Sequence, residues 1–87
     1  MTYLVEFLRS AEKEHSKITQ PFFHDILDSI IRLGDNPKPF GCKKLKGHSR
    51  LWRIKVGKYR VVYELDEVKK TVAIIRIRHR KDVYMNL

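Results

Sequence analysis

The sequence has little of what several classes of protein require. Its 87 residues include one cysteine, Cys42, so neither an internal disulfide nor a zinc site built from cysteines is possible. The longest uninterrupted apolar run, Val72–Ile75, is far shorter than the roughly 20 apolar residues that span a membrane. The first nine residues lack the basic start and the apolar segment of a secretory signal peptide. We therefore expect a cytoplasmic protein that does not act at a membrane.

Glycine and proline are also scarce, at four and three residues, and they form no linker or low-complexity stretch. A chain of 87 residues suits one small domain, which we expect to cover residues 1–87. The core of so small a domain is thin, which leaves little room for a deep substrate cavity. No spacing typical of a metal site or a cofactor motif is present, so we expect neither a metal nor a cofactor.

Acidic residues are depleted in one half of the chain only. Residues 41–87 hold 14 of the 19 lysines and arginines but only four of the ten acidic residues. Residues 1–40 hold the remaining charges and are nearly neutral. A strongly basic half joined to a neutral half favours a polyanion partner over a protein that is merely basic throughout.

The first half has one strand pattern and two helix patterns. Thr2–Leu8 alternates between apolar and polar residues, as a strand does. A short helix is predicted over Ala11–Lys17, with Ser10 as its cap. A second helix is predicted from Pro21, with one apolar stripe along it, and it ends at Gly34.

The second half has the alternation of β-strands. Strands are predicted over Leu51–Val56, Tyr59–Leu65 and Thr71–His79, with Gly57-Lys58 as a tight turn and Phe40–Arg50 as a loop. The predicted order is therefore β-α-α-β-β-β. Because a lone sheet cannot bury its apolar face, we expect an α+β fold with the two helices packed on one face of a small antiparallel sheet.

Alternation along the three later strands separates apolar from basic side chains. The face covered by the helices is predicted to take Trp52, Ile54, Val61, Tyr63, Ile75 and Ile77. The opposite face is predicted to collect Arg53, Lys55, Arg60, Arg76, Arg78 and Arg80. Four bases of the preceding loop extend it, namely Lys43, Lys44, Lys46 and Arg50. We expect the loop bases, together with Arg76 and Arg78, to bind RNA phosphates.

A cationic sheet face suits RNA cleavage as well as RNA binding. RNA carries its own nucleophile, so cleavage needs a base for the 2′-hydroxyl, charge stabilisation at phosphorus and a proton for the 5′-oxygen. Like charges disfavour the protonated form of a lysine, and Lys55 lies between Arg53 and Arg60. His79 is either a proton donor or a core residue, and Tyr84 either stacks on a base or docks the chain terminus.

Three segments of the sequence resemble the RelE family of bacterial and archaeal toxins, within the RelE/ParE superfamily. They are 44–47, then 51–63 with its YRVVY motif, then 79–84, which reads HRKDVY. The likeness covers essentially the whole chain. It implies one RelE-like domain that acts as the toxin of a type II toxin–antitoxin system.

The resemblance implies a metal-independent endoribonuclease, an mRNA interferase that cleaves messenger RNA in the ribosomal decoding (A) site. It also implies a RelB-like antitoxin as partner, with DNA contacted only indirectly through the antitoxin complex. The family's functional residues fall on Arg53, Lys55, Arg60, Arg80 and Tyr84. Lys55 would be the base and Arg60 would stabilise the phosphorane. Arg80 would contact phosphate or supply the proton, and Tyr84 would orient the nucleotide.

The sequence departs from the family pattern at two positions. Arg53 stands where the best-known members have a lysine, and arginine is a poor proton acceptor. Arg78 stands where family members often have a glycine before the His-Arg pair, here His79-Arg80. Some members of the superfamily use a histidine as the acid, so His79 stays a candidate for that role. Two alternatives stay open: a ParE-like toxin that inhibits gyrase without nuclease activity, and a basic nucleic-acid-binding module without catalysis.

Overall fold

The computed structural model describes residues 2–87. Two helices and five strands follow one another as β1 (Leu4–Phe7), α1 (Arg9–Ser16), α2 (Phe22–Arg32), β2 (Lys43–Lys44), β3 (Leu51–Val56), β4 (Tyr59–Asp66) and β5 (Thr71–His79). The strands form one sheet in the order β1-β5-β4-β3-β2. Within residues 2–87, neither helix is long and apolar enough to cross a membrane.

The predicted α+β architecture is confirmed, with two differences in the sheet. β3, β4 and β5 form the expected antiparallel meander, but β1 joins the far edge of β5 in parallel orientation. The first strand, β1, therefore lies beside the last strand, β5. The two helices then connect β1 to β2 at the opposite edge of the sheet. The predicted loop before β3 also contains the two-residue strand β2, which pairs with β3 through Lys43 and Lys44.

The helix α1 runs beside the part of β5 that β1 does not reach. β1 pairs with β5 only as far as Ile74. Beyond it, Glu14 of α1 accepts a hydrogen bond from the main-chain N–H of Ile77 at 3.1 Å. Ser10 does not cap α1 as predicted, because the helix begins two residues earlier, at Arg9, and the Ser10 hydroxyl donates to the Ile75 carbonyl at 3.4 Å.

Both helices contribute to one core on the same side of the sheet. The stripe of α2 buries Ile26 and Ile30 completely, and α1 adds Ala11. The helix α2 ends as predicted before Gly34, whose N–H bonds back to the Ile31 carbonyl at 3.1 Å. The core also includes Ile54, Val61 and Tyr63 of the sheet, and Trp52 packs against it half-buried.

A bulge reverses the expected alternation in the first half of β5. In register, Val62 lies opposite Arg76 and Tyr63 lies opposite Ile74. Ile75 is therefore the extra residue, and it is only half-buried, whereas Ile74 and Ile77 are buried in the core. The prediction for Ile77 is confirmed and that for Ile75 is wrong, because a bulge shifts the alternation of side chains by one residue.

Candidate nucleic-acid interface

Two rows of residues cross the sheet on the face turned away from the helices. In the first row Lys55 lies opposite Arg60, which lies opposite Arg78. In the second row Lys43, Arg53, Val62 and Arg76 follow one another across four strands. We call the six bases of these rows the basic face: Lys43, Arg53, Lys55, Arg60, Arg76 and Arg78. The structure thus brings together residues from β3, β4 and β5, as the alternation predicts, and adds Lys43 from β2.

Lys55 and Arg60 lie directly opposite each other on β3 and β4 on this face. The N–H of Leu65 donates to the Arg50 carbonyl at 2.9 Å, which fixes the alternation of hydrogen-bonded pairs between β3 and β4. By this alternation, Lys55 and Arg60 form a non-hydrogen-bonded pair, in which the Cα atoms approach to about 4.5 Å and side chains lie closest. Lys55 is exposed and Arg60 is half-buried, so the lysine is open to a ligand.

Main-chain oxygens hold two arginines of the basic face. The Nη1 of Arg60 donates to the carbonyls of Gly57 and Tyr59, both at 2.9 Å, which places its guanidinium over the β3–β4 turn. Gly57 opens this two-residue turn at a φ of +58°, a conformation that favours glycine. Arg53 is buried and donates to the Gly41 carbonyl at 3.2 Å. Arg53 is therefore part of the support beneath the site.

The two arginines of β5 have different partners. Arg78 donates through Nε to Glu14, the carboxylate that also accepts from Ile77. Arg76 donates through Nη1 to the carbonyls of Val83 and Met85, each at 2.7 Å. Burial lowers the pKa of Arg76, and the charge of Arg78 lowers it further. Arginine nevertheless stays protonated in proteins, so the guanidinium remains a charged donor.

The last residues of the chain return across the basic face. Val83 is completely buried outside the main core, as is Val62, which lies beside Arg76 in the sheet. Tyr84 is 49% exposed next to this anchor. The predicted site residue Arg80 is exposed, and its N–H continues the sheet by donating to the Lys58 carbonyl at 2.9 Å. The segment thus brings Tyr84 and Arg80 to the edge of the basic face.

His79 lies on the other side of the sheet. Its ring packs edge-on against Tyr59, with ring centroids 6.1 Å apart, and Tyr59 packs against the main core. Its Nδ1 accepts a hydrogen bond from the N–H of Lys81 at 3.1 Å. The structure therefore does not bring His79 together with Lys55 and Arg60, and it favours a structural role for this histidine.

The bases before β3 divide between the two sides of the sheet. Lys43 lies opposite Arg53 on the basic face, whereas Lys44 lies opposite Trp52, with its ammonium 6.0 Å from the ring centre. Lys46 is exposed in the turn that follows. Arg50 is 3.4 Å from Asp66, so one of the four has an acidic partner.

A half-open pocket of about 550 Å³ lies beside Lys55. Leu33, Ile54 and Phe40 form part of its lining, and Phe40 is fully exposed. Because β2 pairs with β3 only at Trp52 and Arg53, the pocket lies along the part of β3 that β2 does not cover.

Sequence patterns did not reveal Glu14 or the buried contacts of Val83. Glu14 reaches Arg78 across 64 residues of sequence, and only the packing of α1 beside β5 explains that contact. Val83 lies in irregular turns, where no periodicity predicts burial. Val83 is one of several apolar or aromatic residues in 83–87, and nothing in the sequence singles it out from Tyr84 or Met85.

Comparisons with known proteins identify a chain with this fold as a toxin of a type II toxin–antitoxin system. The family described as "ParE toxin of type II toxin-antitoxin system, parDE" matches residues 4–84. Toxin RelG of Mycobacterium tuberculosis is 29% identical, with 97% of this chain and 98% of RelG covered. RelE1 of Methanocaldococcus jannaschii is 28% identical, with 99% of each chain covered.

A solved structure extends the likeness to three dimensions. The archaeal RelE–RelB complex from Pyrococcus horikoshii contains a chain that superimposes with a TM-score of 0.82 at 26% identity. The match covers 95% of this chain and all of that one. The protein therefore belongs to the RelE/ParE family of toxins, with relatives named RelE.

Proposed function

We propose that this RelE-like toxin is a ribosome-dependent endoribonuclease that cuts messenger RNA in the decoding site and so stops translation in the cytoplasm. One observation carries the proposal: exposed Lys55 lies directly opposite Arg60 at a non-hydrogen-bonded position of the basic face. A proton acceptor and a cation for the phosphorane are the two groups that cleavage by the 2′-hydroxyl most needs, and here they are neighbours.

Lys55 is the base in this proposal because it is the only residue of its row that can become a neutral amine. The other two members, Arg60 and Arg78, stay protonated. The 2′-oxygen attacks phosphorus while the neutral amine of Lys55 takes its proton. The bond from phosphorus to the 5′-oxygen breaks, and that oxygen takes up a proton from solvent. The products are a 2′,3′-cyclic phosphate and a 5′-hydroxyl.

Arg60 and Arg80 stabilise the negative charge in this step. A guanidinium has five N–H donors, and the two main-chain carbonyls bound to Arg60 engage only its Nη1. Its Nε and Nη2 remain to bind the phosphorane oxygens. Arg80 is exposed at the end of β5 and contacts the phosphate from the other side. The ribosome holds the message in a reactive geometry over this open face, because correct orientation of the reacting atoms supplies much of the rate.

A RelB-like antitoxin is the proposed protein partner. The solved relative from Pyrococcus horikoshii is a RelE–RelB complex, which supports the same kind of pairing here. A net charge of +9 favours an antitoxin segment with carboxylates over the basic face. DNA would be contacted through the antitoxin.

The test is cleavage of a defined message on ribosomes by the wild-type protein and by Lys55→Arg and Lys55→Ala variants. Lys55→Arg keeps the charge but removes the proton acceptor, so we expect cleavage to fall by about 10²–10⁴-fold with ribosome binding retained. Lys69→Ala, at an exposed turn lysine, is the matched control and should cleave normally. Normal cleavage by Lys55→Arg would contradict the role of Lys55 as base.

Gyrase inhibition is the second candidate, because the matching family is described as ParE toxin. In that case the protein leaves messages intact on ribosomes and inhibits DNA supercoiling by purified gyrase. A supercoiling assay beside the cleavage assay separates the two functions. If the protein binds RNA but neither cleaves it nor inhibits gyrase, the remaining candidate is a basic nucleic-acid-binding module without catalysis.

A further inference from the structure

We propose that Arg76 is a positioning residue that fixes Tyr84 at the basic face by holding the main chain on both sides of it. The sequence predicts a different role for Arg76, as a contact to RNA phosphate. The inference rests on the proposed function for its catalytic consequence, whereas the contact itself can be tested without any nuclease activity.

The geometry centres on one nitrogen. The Nη1 of Arg76 lies 2.7 Å from the carbonyl oxygen of Val83 and 2.7 Å from that of Met85. Those two carbonyls belong to the residues immediately before and after Tyr84. Nη1 carries two hydrogens, so each carbonyl accepts one of them. The guanidinium therefore bridges the chain across Tyr84.

The bridge acts at a place where the chain would otherwise fray. Terminal residues are poorly ordered unless something ties them to the domain, and only turns follow β5 here. Val83 supplies an apolar anchor, since it is completely buried. Arg76 supplies charge-assisted hydrogen bonds, which are roughly twice as strong as neutral ones. Tyr84 stays 49% exposed between them, so its phenol is held and still open to RNA.

The same geometry removes the Nη1 of Arg76 from phosphate binding, whereas its Nε and Nη2 lie outside the bridge. Both hydrogens of Nη1 are engaged, so a phosphate at that nitrogen would have to displace a main-chain carbonyl. Loss of the bridge would free Tyr84 and reduce its effect on the reaction. A displacement of about 1 Å in a positioning group can cost roughly 100-fold in rate.

The catalytic test is a double-mutant cycle with Arg76→Met and Tyr84→Ala, measured as single-turnover cleavage at saturating ribosomes. We expect Arg76→Met to slow cleavage by about 10–100-fold in the wild-type background. In the Tyr84→Ala background the same change should cost less than about twofold, because the residue on which it acts is absent. If the two losses multiply, Arg76 acts independently of Tyr84, and the proposal is wrong.

The structural test needs no activity. Hydrogen exchange is measured at the amides of Val83 and Met85, which bond to the carbonyls of His79 and Asp82. Arg76→Met should speed exchange at both by about tenfold or more. Arg78→Met removes an equal charge from the same strand and leaves the bridge, so exchange there should stay near the wild-type rate. Unchanged exchange in Arg76→Met would overturn the proposal.

The two assays separate this proposal from the proposed function. If the wild-type protein cleaves no message, the nuclease function fails, and exchange still reports whether Arg76 holds the terminal segment. If cleavage occurs and exchange is unchanged in Arg76→Met, the nuclease function stands and the positioning role fails.

Discussion

At the scale of single residues, main-chain carbonyls hold most of the arginines on the basic face. Arg53, Arg60 and Arg76 each donate to carbonyl oxygens, and only Arg78 of this face has a carboxylate partner among the contacts described. Carbonyl partners orient a guanidinium without neutralising it. The face therefore keeps its positive charge while its side chains are fixed, which suits the proposed binding of a phosphate backbone.

Tyr63 offers a prediction about stability at this scale. It is completely buried, and its hydroxyl donates to the Pro37 carbonyl at 2.5 Å, while burial raises the pKa of the phenol well above its ordinary value. The raised pKa keeps the phenol protonated, and therefore a donor, above the pH at which a free tyrosine ionises. Tyr63→Phe should lower the free energy of unfolding by about 0.5–1.5 kcal/mol in urea.

Tyr84→Phe is the matched control for Tyr63→Phe, because it removes a hydroxyl from an exposed ring. It should leave the urea midpoint unchanged. Equal effects of the two substitutions would show that the bond from Tyr63 to Pro37 contributes nothing measurable.

At the scale of elements, the sequence predicts where the later strands begin and end, but not how every strand pairs in the sheet. The bounds of β3 and β5 coincide with the predicted ones, because alternation of apolar and polar residues is a local property. The parallel pairing of β1, the short β2 and the bulge at Ile75 depend on contacts between distant segments. No local pattern marks them.

Glu14 links α1 to β5 and carries a prediction at this scale. Its carboxylate accepts from the Ile77 N–H at 3.1 Å and from Arg78. Glu14→Ala leaves that half-buried N–H without its partner, so the free energy of unfolding should fall by about 1–3 kcal/mol. Glu12→Ala, at an exposed residue of the same helix, is the control and should unfold near the wild-type midpoint. Similar midpoints for both variants would contradict this account of α1.

The β4–β5 turn predicts how stability depends on acid. Hydrogen bonds from the N–H groups of Lys69 and Val68, together with the charge of Arg50, lower the pKa of Asp66 below 3.8. A carboxyl group with a lowered pKa in the folded state stabilises the fold above its unfolded pKa. That contribution disappears as the pH falls through the lowered folded value.

Below about pH 4, the thermal midpoint of Asp66→Asn should therefore fall less steeply with pH than that of the wild type. The difference between the two midpoints should be largest at neutral pH. Thermal midpoints between pH 2 and pH 7 measure it. Glu67→Gln, in the same turn but exposed, serves as the control. A constant difference between Asp66→Asn and wild type at every pH would contradict the pKa of Asp66 as the cause.

At the scale of the whole molecule, the uneven charge of the two halves of the sequence places the basic face on one side of the sheet and the helices on the other. The nearly neutral first half supplies both helices, and the basic second half supplies β2 to β5. Such a concentration of positive charge attracts a polyanion from a distance and makes binding fall steeply with salt. Alternation in the sequence predicted which residues share that surface. It could not predict that Arg53 is buried or that Arg76 holds the terminal segment, because each depends on tertiary contacts, whereas it did place His79 on the core side of β5.

The most direct test of the account is primer extension on a defined message in a purified translation system, with and without ribosomes. The account predicts cuts within codons at the decoding site, only when ribosomes are present, with a 5′-hydroxyl on the downstream fragment. An intact message in the presence of ribosomes would contradict it and would make gyrase the next target to examine.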